Sequence, residues 1–140
     1  MQQIAFLASS KISSESIMRC YDWATETAQM DIVVVSGFHS QLEKDVLHFL
    51  LKGHCRVKLV LGRCMYKKLP EIFIKPVDSG RLFISSISDQ PRQTRESTYI
   101  RNRHIVDISD EVVIASLHPA SSLYSLYEYA KSQHKKITLL

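Results

Sequence analysis

Six short, almost wholly apolar runs recur along the chain, and longer stretches of helical periodicity separate them. The run at residues 32–36 is typical of the six: an isoleucine and three valines follow one another before Ser36 and Gly37. Strands that are apolar at nearly every position are buried on both faces, which is typical of a parallel sheet covered by helices. The sequence therefore predicts an α/β fold: a doubly wound, mostly parallel, Rossmann-like sheet with helices on both faces.

The six runs give the predicted strands, and the stretches between them give the predicted helices. Strands are expected at residues 4–8, 32–36, 57–61, 81–85, 111–116 and 136–140. Helices are expected from residue 13 or 14 to about residue 29, and at residues 41–52, 96–109 and 121–133. Only a short helix is expected between residues 66 and 80, because Pro70 and Pro76 limit its length.

Length and composition predict one folded domain that spans residues 1–140. Hydrophobic residues make up 45% of the chain and charged residues 23%, which suits a packed core and excludes a disordered chain. No apolar run approaches the length of a membrane span and no signal peptide opens the chain, so no membrane partner is expected. Three cysteines cannot form a closed set of disulfides, which favours a cytoplasmic location.

Positive charge is concentrated in the middle of the chain. The net charge is +4, but residues 52–103 carry twelve Lys or Arg residues against four Asp or Glu residues. The remaining residues carry six against ten. This distribution favours an anionic partner.

The loops that should follow the strands are rich in serine. Ligands of open parallel sheets bind beyond the carboxyl ends of the strands, where loop amides and helix N-termini face them. Ser36 and Gly37 stand directly after a buried strand, and a glycine there lets the backbone approach a ligand closely. For each serine, a role in a turn or a helix cap stays open as the alternative.

Several common kinds of site are not indicated. The glycine fingerprints of dinucleotide and P-loop sites are absent, so no cofactor is expected. His54, Cys55 and Cys64 lack the spacing of a metal site, and no metal is expected. His39 and His118 have no evident nucleophile beside them, so no catalytic residue is predicted. His39 is expected in a polar contact role.

Four arginines, Arg92, Arg95, Arg101 and Arg103, lie within twelve residues. Arg101 and Arg103 cannot share one helical face. One of them could therefore reach a phosphate while the other pairs with Asp107 or Asp110. A solvated helix face with exposed ion pairs is the alternative.

Four stretches, residues 35–44, 82–85, 101–110 and 121–125, resemble the Rossmann domain of the DNA-processing protein A (DprA/Smf) family. That family belongs to the wider Smf- and Lonely-Guy-like (SLOG) group of nucleotide-binding domains. The most specific stretch is Arg101-Asn102-Arg103, with Ser109-Asp110 following it. The chain departs from the family at residues 41–43, Gln-Leu-Glu in place of Gly-Ile-Asp, and at Ser121, where the family has glycine.

The resemblance implies roles for individual residues. Ser36 and Gly37 match the turn that approaches phosphate, residues 101–103 match an anion-contacting helix start, and Ser122 and Ser125 match hydroxyls at the last helix. The predicted ligand-binding set is Ser36, Gly37, His39, Ser40, Arg101, Asn102, Arg103, Ser121, Ser122 and Ser125. Phe38, Tyr66 and Tyr99 are the candidates for stacking on bases.

The resemblance also implies a function in DNA processing and DNA uptake (transformation), through binding of single-stranded DNA or a nucleotide by phosphate contacts. A homodimer formed through an open sheet edge is left open. For the function, a small-nucleotide sensor is one alternative. The other is a nucleoside-monophosphate N-glycosidase of the Lonely-Guy type, for which Glu43 would be the only acid placed to act. The glycosidase motif is absent, which disfavours an enzyme.

Overall fold

The computed structural model describes residues 1–140, in which strands and helices alternate without exception. The strands are β1 Gln3–Ala8, β2 Val33–Ser36, β3 Arg56–Leu61, β4 Leu82–Ser86, β5 Glu111–Ala115 and β6 Lys136–Leu139. The helices are α1 Ser14–Thr27, α2 Gln41–Leu51, α3 Glu71–Asp78, α4 Arg95–Asp107 and α5 Tyr124–Ser132.

The six strands form one sheet in the order β4-β3-β2-β1-β5-β6. Every neighbouring pair is parallel, so each connection between neighbours must cross over the sheet. The predicted α/β, doubly wound architecture is confirmed, and the sheet is parallel throughout.

Helices cover both faces of the sheet, because each carries a buried stripe. One core cluster holds side chains of α1, α2 and α3, such as Cys20, Val46 and Phe73. The second holds side chains of α4 and α5, such as Ile105 and Leu126. From Ile4 to Ala8, successive residues of β1 alternate between the two clusters, which explains why these five positions are all apolar.

Most boundaries agree with the sequence to within two residues, because polar caps mark them. Ser13 caps α1 by accepting a hydrogen bond from Ser16 N (3.2 Å). The predicted start of α5 at residue 121 is wrong, since Ser121 Oγ accepts from Leu123 N (3.1 Å) and holds a turn there. None of the five helices combines the length and apolar character that crossing a membrane requires.

Candidate functional site

A cleft of about 1250 Å³ lies at the carboxyl ends of β2 and β3. Gly37, Phe38 and His39, which follow β2 directly, form part of its lining. Side chains of α2 and α3 form one wall, and the loop before α4 and the first turns of α4 form another. The cleft therefore lies at the carboxyl edge of the sheet, which is the edge at which ligands of parallel sheets bind.

The turn at residues 36–40 is held rigidly by Glu43, whose side chain is buried. Glu43 Oε1 accepts hydrogen bonds from His39 N (3.2 Å) and Ser40 N (2.9 Å). Ser36 Oγ donates to Glu43 Oε2 (3.4 Å), and Ser40 Oγ accepts from Glu43 N (3.2 Å). The predicted hydroxyls of Ser36 and Ser40 thus shape the turn from inside and cap α2.

Phe38 has a positive φ of 44°, which costs a bulky residue conformational energy. Its side chain is buried in the core cluster on the α2 side of the sheet, and this burial offsets the cost. Phe38 therefore anchors the turn. The expectation that its ring is free to stack on a base is wrong.

Arg101 is a buried cation, with 3% of its surface exposed. It lies on the same stripe of α4 as Ile105, one turn away, and its guanidinium fills the space beside Gly37. Its Nε and Nη2 donate to Asn102 Oδ1 (3.2 and 3.0 Å), and its Nη1 donates to Gln93 Oε1 (3.0 Å). Gly37, Gln93 and Asn102 all line the cleft, so the charge lies directly behind its wall.

No carboxylate forms an ion pair with Arg101, since the ion pair of the structure joins Lys136 to Glu111 (3.4 Å). Burial lowers the pKa of the Arg101 guanidinium, and the charge of Glu43 opposes that shift. The guanidinium thus has neutral hydrogen-bond partners and unused N–H donors. Such a group interacts favourably with an anion brought into the cleft.

Arg103 points away from the cleft, and its Cζ lies 4.1 Å from the centroid of the Tyr129 ring. The predicted pairing of an arginine with Asp107 or Asp110 is wrong, because neither carboxylate forms an ion pair with an arginine; each accepts from a neutral donor instead. Tyr129 donates to Asp107, and Gln3 N donates to Asp110 (2.9 Å).

Arg101, Asn102 and Arg103 also do not start a helix, since α4 begins six residues before Arg101, at Arg95. The predicted helix-start geometry of this triplet is therefore wrong, and only Asn102 of the three lines the cleft.

The predicted serines of the last helix lie in two different surroundings. Ser121 Oγ is 2.8 Å from Ser9 Oγ, which in turn donates to Ser116 O (2.9 Å). These bonds tie together the loops that follow β1 and β5, where the strand order reverses. Ser122 lines the cleft and Ser125 does not.

Solved structures with a similar architecture are known. DNA processing protein A from Helicobacter pylori matches 99% of this chain with a TM-score of 0.76 at 18% sequence identity. DNA processing protein A (DprA) from Streptococcus pneumoniae matches 99% with a TM-score of 0.77 at 15% identity. The chain has a DprA-like fold.

The chain spans 64% of the H. pylori chain and 50% of the S. pneumoniae chain. The Moco carrier protein from Chlamydomonas reinhardtii is less similar, with a TM-score of 0.52 and 7% identity over 99% of this chain and 88% of that one. No family model matches the sequence, and no curated protein matches it.

Within this DprA-like fold, the cleft carries four cationic side chains outside the predicted set. They are Lys44, Arg63, Arg92 and Arg95, and no carboxylate lines the cleft beside them. Lys44 belongs to α2 and Arg63 to the loop after β3, whereas Arg92 precedes α4 and Arg95 is its first residue. Two signals in the sequence pointed to three of them: the stretch of four arginines contains Arg92 and Arg95, and the basic middle also contains Arg63.

No group of three or more His, Cys, Asp or Glu side chains comes together as metal ligands. Cys55 is buried, with its Sγ 3.8 Å from Leu50 O. His39 and His48 line the cleft with the four cations, whereas His118 is exposed outside it. The cleft therefore offers positive charge, amide and hydroxyl donors, and apolar surface.

Proposed function

We propose that the chain binds single-stranded DNA in the cleft through contacts to phosphates. The observation that carries the proposal is the lining of four cationic side chains and no carboxylate. The solved structure from H. pylori concerns single-stranded DNA binding by DNA processing protein A, which supports a polynucleotide as the ligand. The resemblance alone supports a wider proposal: the chain is a member of the SLOG group, lies in the cytoplasm and acts in DNA uptake.

The arrangement of donors suits a polyanion rather than one phosphate. Arg92 and Arg95 lie at the side of α4, and Lys44 and Arg63 lie toward α2 and α3. Neutral donors on Asn102, Ser122 and other residues line the same cleft. Cationic side chains from several elements attract the phosphates of any sequence, which favours binding that tracks the backbone.

Binding of a free nucleotide, as in a small-nucleotide sensor, uses the same donors. A cleft of about 1250 Å³ is larger than one nucleotide requires, which favours the polymer. The N-glycosidase alternative needs Glu43 as a free catalytic acid. Both carboxylate oxygens of Glu43 instead accept hydrogen bonds from Ser36, His39 and Ser40, which disfavours this alternative. Glu43 also does not line the cleft.

Fluorescence anisotropy with a labelled oligothymidylate at several salt concentrations tests the proposal. We expect log affinity to fall linearly with log salt, with a slope of about −0.7 for each phosphate that is neutralised. Arg92→Ala and Arg95→Ala should each weaken binding and flatten that slope by about 0.7. Arg56→Ala is the matched control, because Arg56 is exposed at the opposite edge of the sheet, where β3 begins.

A slope near zero would contradict the proposal, as would equal weakening by the Arg56 and Arg92 variants. Competition by deoxythymidine monophosphate separates the two ligand classes. If the mononucleotide displaces the oligonucleotide at a similar concentration of phosphate groups, the cleft is a nucleotide site and the polymer version fails.

A further inference from the structure

A second polar surface begins at the edge of the cleft and lies outside it. This α4–α5 face is defined by Tyr99 and Arg103 of α4 and by Ser125 and Tyr129 of α5. Because all strands are parallel, both helices begin at the carboxyl edge of the sheet, and they pack against each other as they run away from it. Tyr99 lines the cleft, and Arg103 follows it one turn along α4. The α4–α5 face therefore leads from the cleft to a cation outside it.

Arg103 is ordered on the α4–α5 face without losing its charge. Its guanidinium Cζ lies 4.1 Å from the centroid of the Tyr129 ring, and the Tyr129 hydroxyl donates to Asp107. Hydrogen-bonding contacts with Tyr129 and, to a smaller extent, Tyr99 raise the pKa of the Arg103 guanidinium. No carboxylate forms an ion pair with Arg103, although Asp107 is one turn away on the same helix. The side chain is exposed, so aromatic contacts hold a cation whose remaining N–H donors are open to a ligand.

An ordered, unpaired guanidinium is suited to a phosphate. Its planar fork of donors matches two phosphate oxygens at once. Because the ring contacts already restrict the side chain, less rotamer freedom is lost when an anion binds. Two turns of helix, about 12 Å, separate Arg103 from Arg95, which lines the cleft at the start of α4. An anion that contacts both arginines must therefore be longer than a single phosphate.

We propose that a strand bound in the cleft leaves it over the α4–α5 face and places one phosphate against Arg103, an inference that rests on the proposed function. The exposed hydroxyl of Ser125, one turn before Tyr129 on α5, is a neutral donor on the same path. Glu96, also on α4, instead lines a separate small pocket with the loop after β4. Arg103 then acts only on strands that are long enough to reach it.

Oligothymidylates of increasing length, from about four to about sixteen nucleotides, test the inference by fluorescence anisotropy. The shortest strands that the cleft holds should bind Arg103→Ala as tightly as the wild-type chain. The longest strands should bind this variant severalfold more weakly, with a salt slope flatter by about 0.7, the share of one phosphate. Arg19→Ala is the charge-matched control and should bind every length like the wild-type chain. Arg19 is exposed on α1, which covers the opposite face of the sheet.

Three further variants separate the charge of Arg103 from its placement. Arg103→Lys keeps the charge and should keep the salt slope, but it should lose part of the affinity for long strands because an ammonium lacks the planar fork. Tyr129→Phe keeps the ring beside the guanidinium and should bind long strands like the wild-type chain. Tyr129→Leu removes the ring and should weaken their binding about twofold to fivefold, the range of an exposed cation–π contact, without affecting the shortest strands.

Equal binding of the wild-type chain and Arg103→Ala at every length would overturn the inference and leave the cleft proposal standing. Equal weakening at every length, the shortest included, would also overturn it, because Arg103 would then act through the overall field or the fold. If the wild-type chain bound no strand of any length, both this inference and the proposed function would fail.

Discussion

Gly37 and Arg101 share one small space beside the end of β2. A Cβ placed on Gly37 would overlap the Arg101 guanidinium. That guanidinium cannot easily move aside, because its hydrogen bonds to Gln93 and Asn102 hold it. Position 37 must therefore be glycine because a side chain there would collide with the Arg101 guanidinium, as well as with a ligand in the cleft.

Replacing Gly37 with alanine should therefore destabilise the fold by about 1–3 kcal/mol, the usual cost of overpacking. Adding Arg101→Gln in the same chain removes two of the three overlapping atoms, Cζ and Nη1, and should recover part of that loss. Urea denaturation of the two single variants and the double variant measures the coupling. Strictly additive effects would show that the two residues do not compete for space.

Arg101 also marks the limit of what the sequence reveals at this scale. Its place within a polar-looking helix predicts an exposed or phosphate-contacting side chain, and the structure buries it. The burial depends on the missing side chain of Gly37, which lies 64 positions away in the sequence. Contacts of this kind arise from packing between elements, and no local pattern encodes them.

Among the secondary-structure elements, α2 and α4 both begin with reciprocal caps at the edge of the cleft. Ser40 and Glu43 form a capping box on α2, and Thr94 and Ser97 form one on α4. Each cap satisfies backbone N–H groups that a helix start leaves without partners. The caps fix the direction in which both helices leave the cleft.

Ser40→Ala should lower the free energy of unfolding by about 1 kcal/mol, because Glu43 N loses its acceptor. Ser40→Asp supplies another acceptor and should retain most of the stability. Thermal or urea denaturation of the two variants side by side measures the difference. Identical midpoints for Ser40→Ala and the wild-type chain would count against the cap.

The elements themselves were largely predictable because their signals are local. Residues 32–36 predict a buried strand, and Ser13 and Gln41 mark helix starts to within one residue. The order of the strands was not predictable, since the pairing of β1 with β5 depends on how the helices cover the two faces. That Lys44, Arg63 and Arg92 line one cleft was also not predictable, because they come from separate elements that only the fold brings together.

For the molecule as a whole, the cysteines report on the integrity of the core. Cys20 and Cys55 are buried within one core cluster, whereas Cys64 is partly exposed. Burial raises the pKa of the Cys20 thiol from 9.0 to about 11 and also raises the pKa of Cys55. A raised folded-state pKa means that protonated Cys20 supports the fold below pH 9 and that this support is lost as pH rises through about 11.

At pH 8 in native buffer, iodoacetamide should therefore modify Cys64 and spare Cys20 and Cys55, since alkylation needs an accessible thiolate. All three cysteines should react in denaturing urea. Peptide mass spectrometry of the labelled chain measures the three rates separately. Labelling of Cys20 at the rate of Cys64 under native conditions would contradict the core described above.

The strand order has a consequence for how the chain reaches its folded state. β1 to β4 follow one another in sequence and lie side by side, so four of the six strands can assemble from residues 3–86 alone. The other edge of β1 gains its partner only when β5 has been made; in that pair Ile4 lies opposite Glu111. During synthesis on the ribosome, this edge of the apolar strand β1 therefore stays unpaired until the later strands emerge. In that interval a nascent chain is open to mispairing with other strands and to capture by a chaperone.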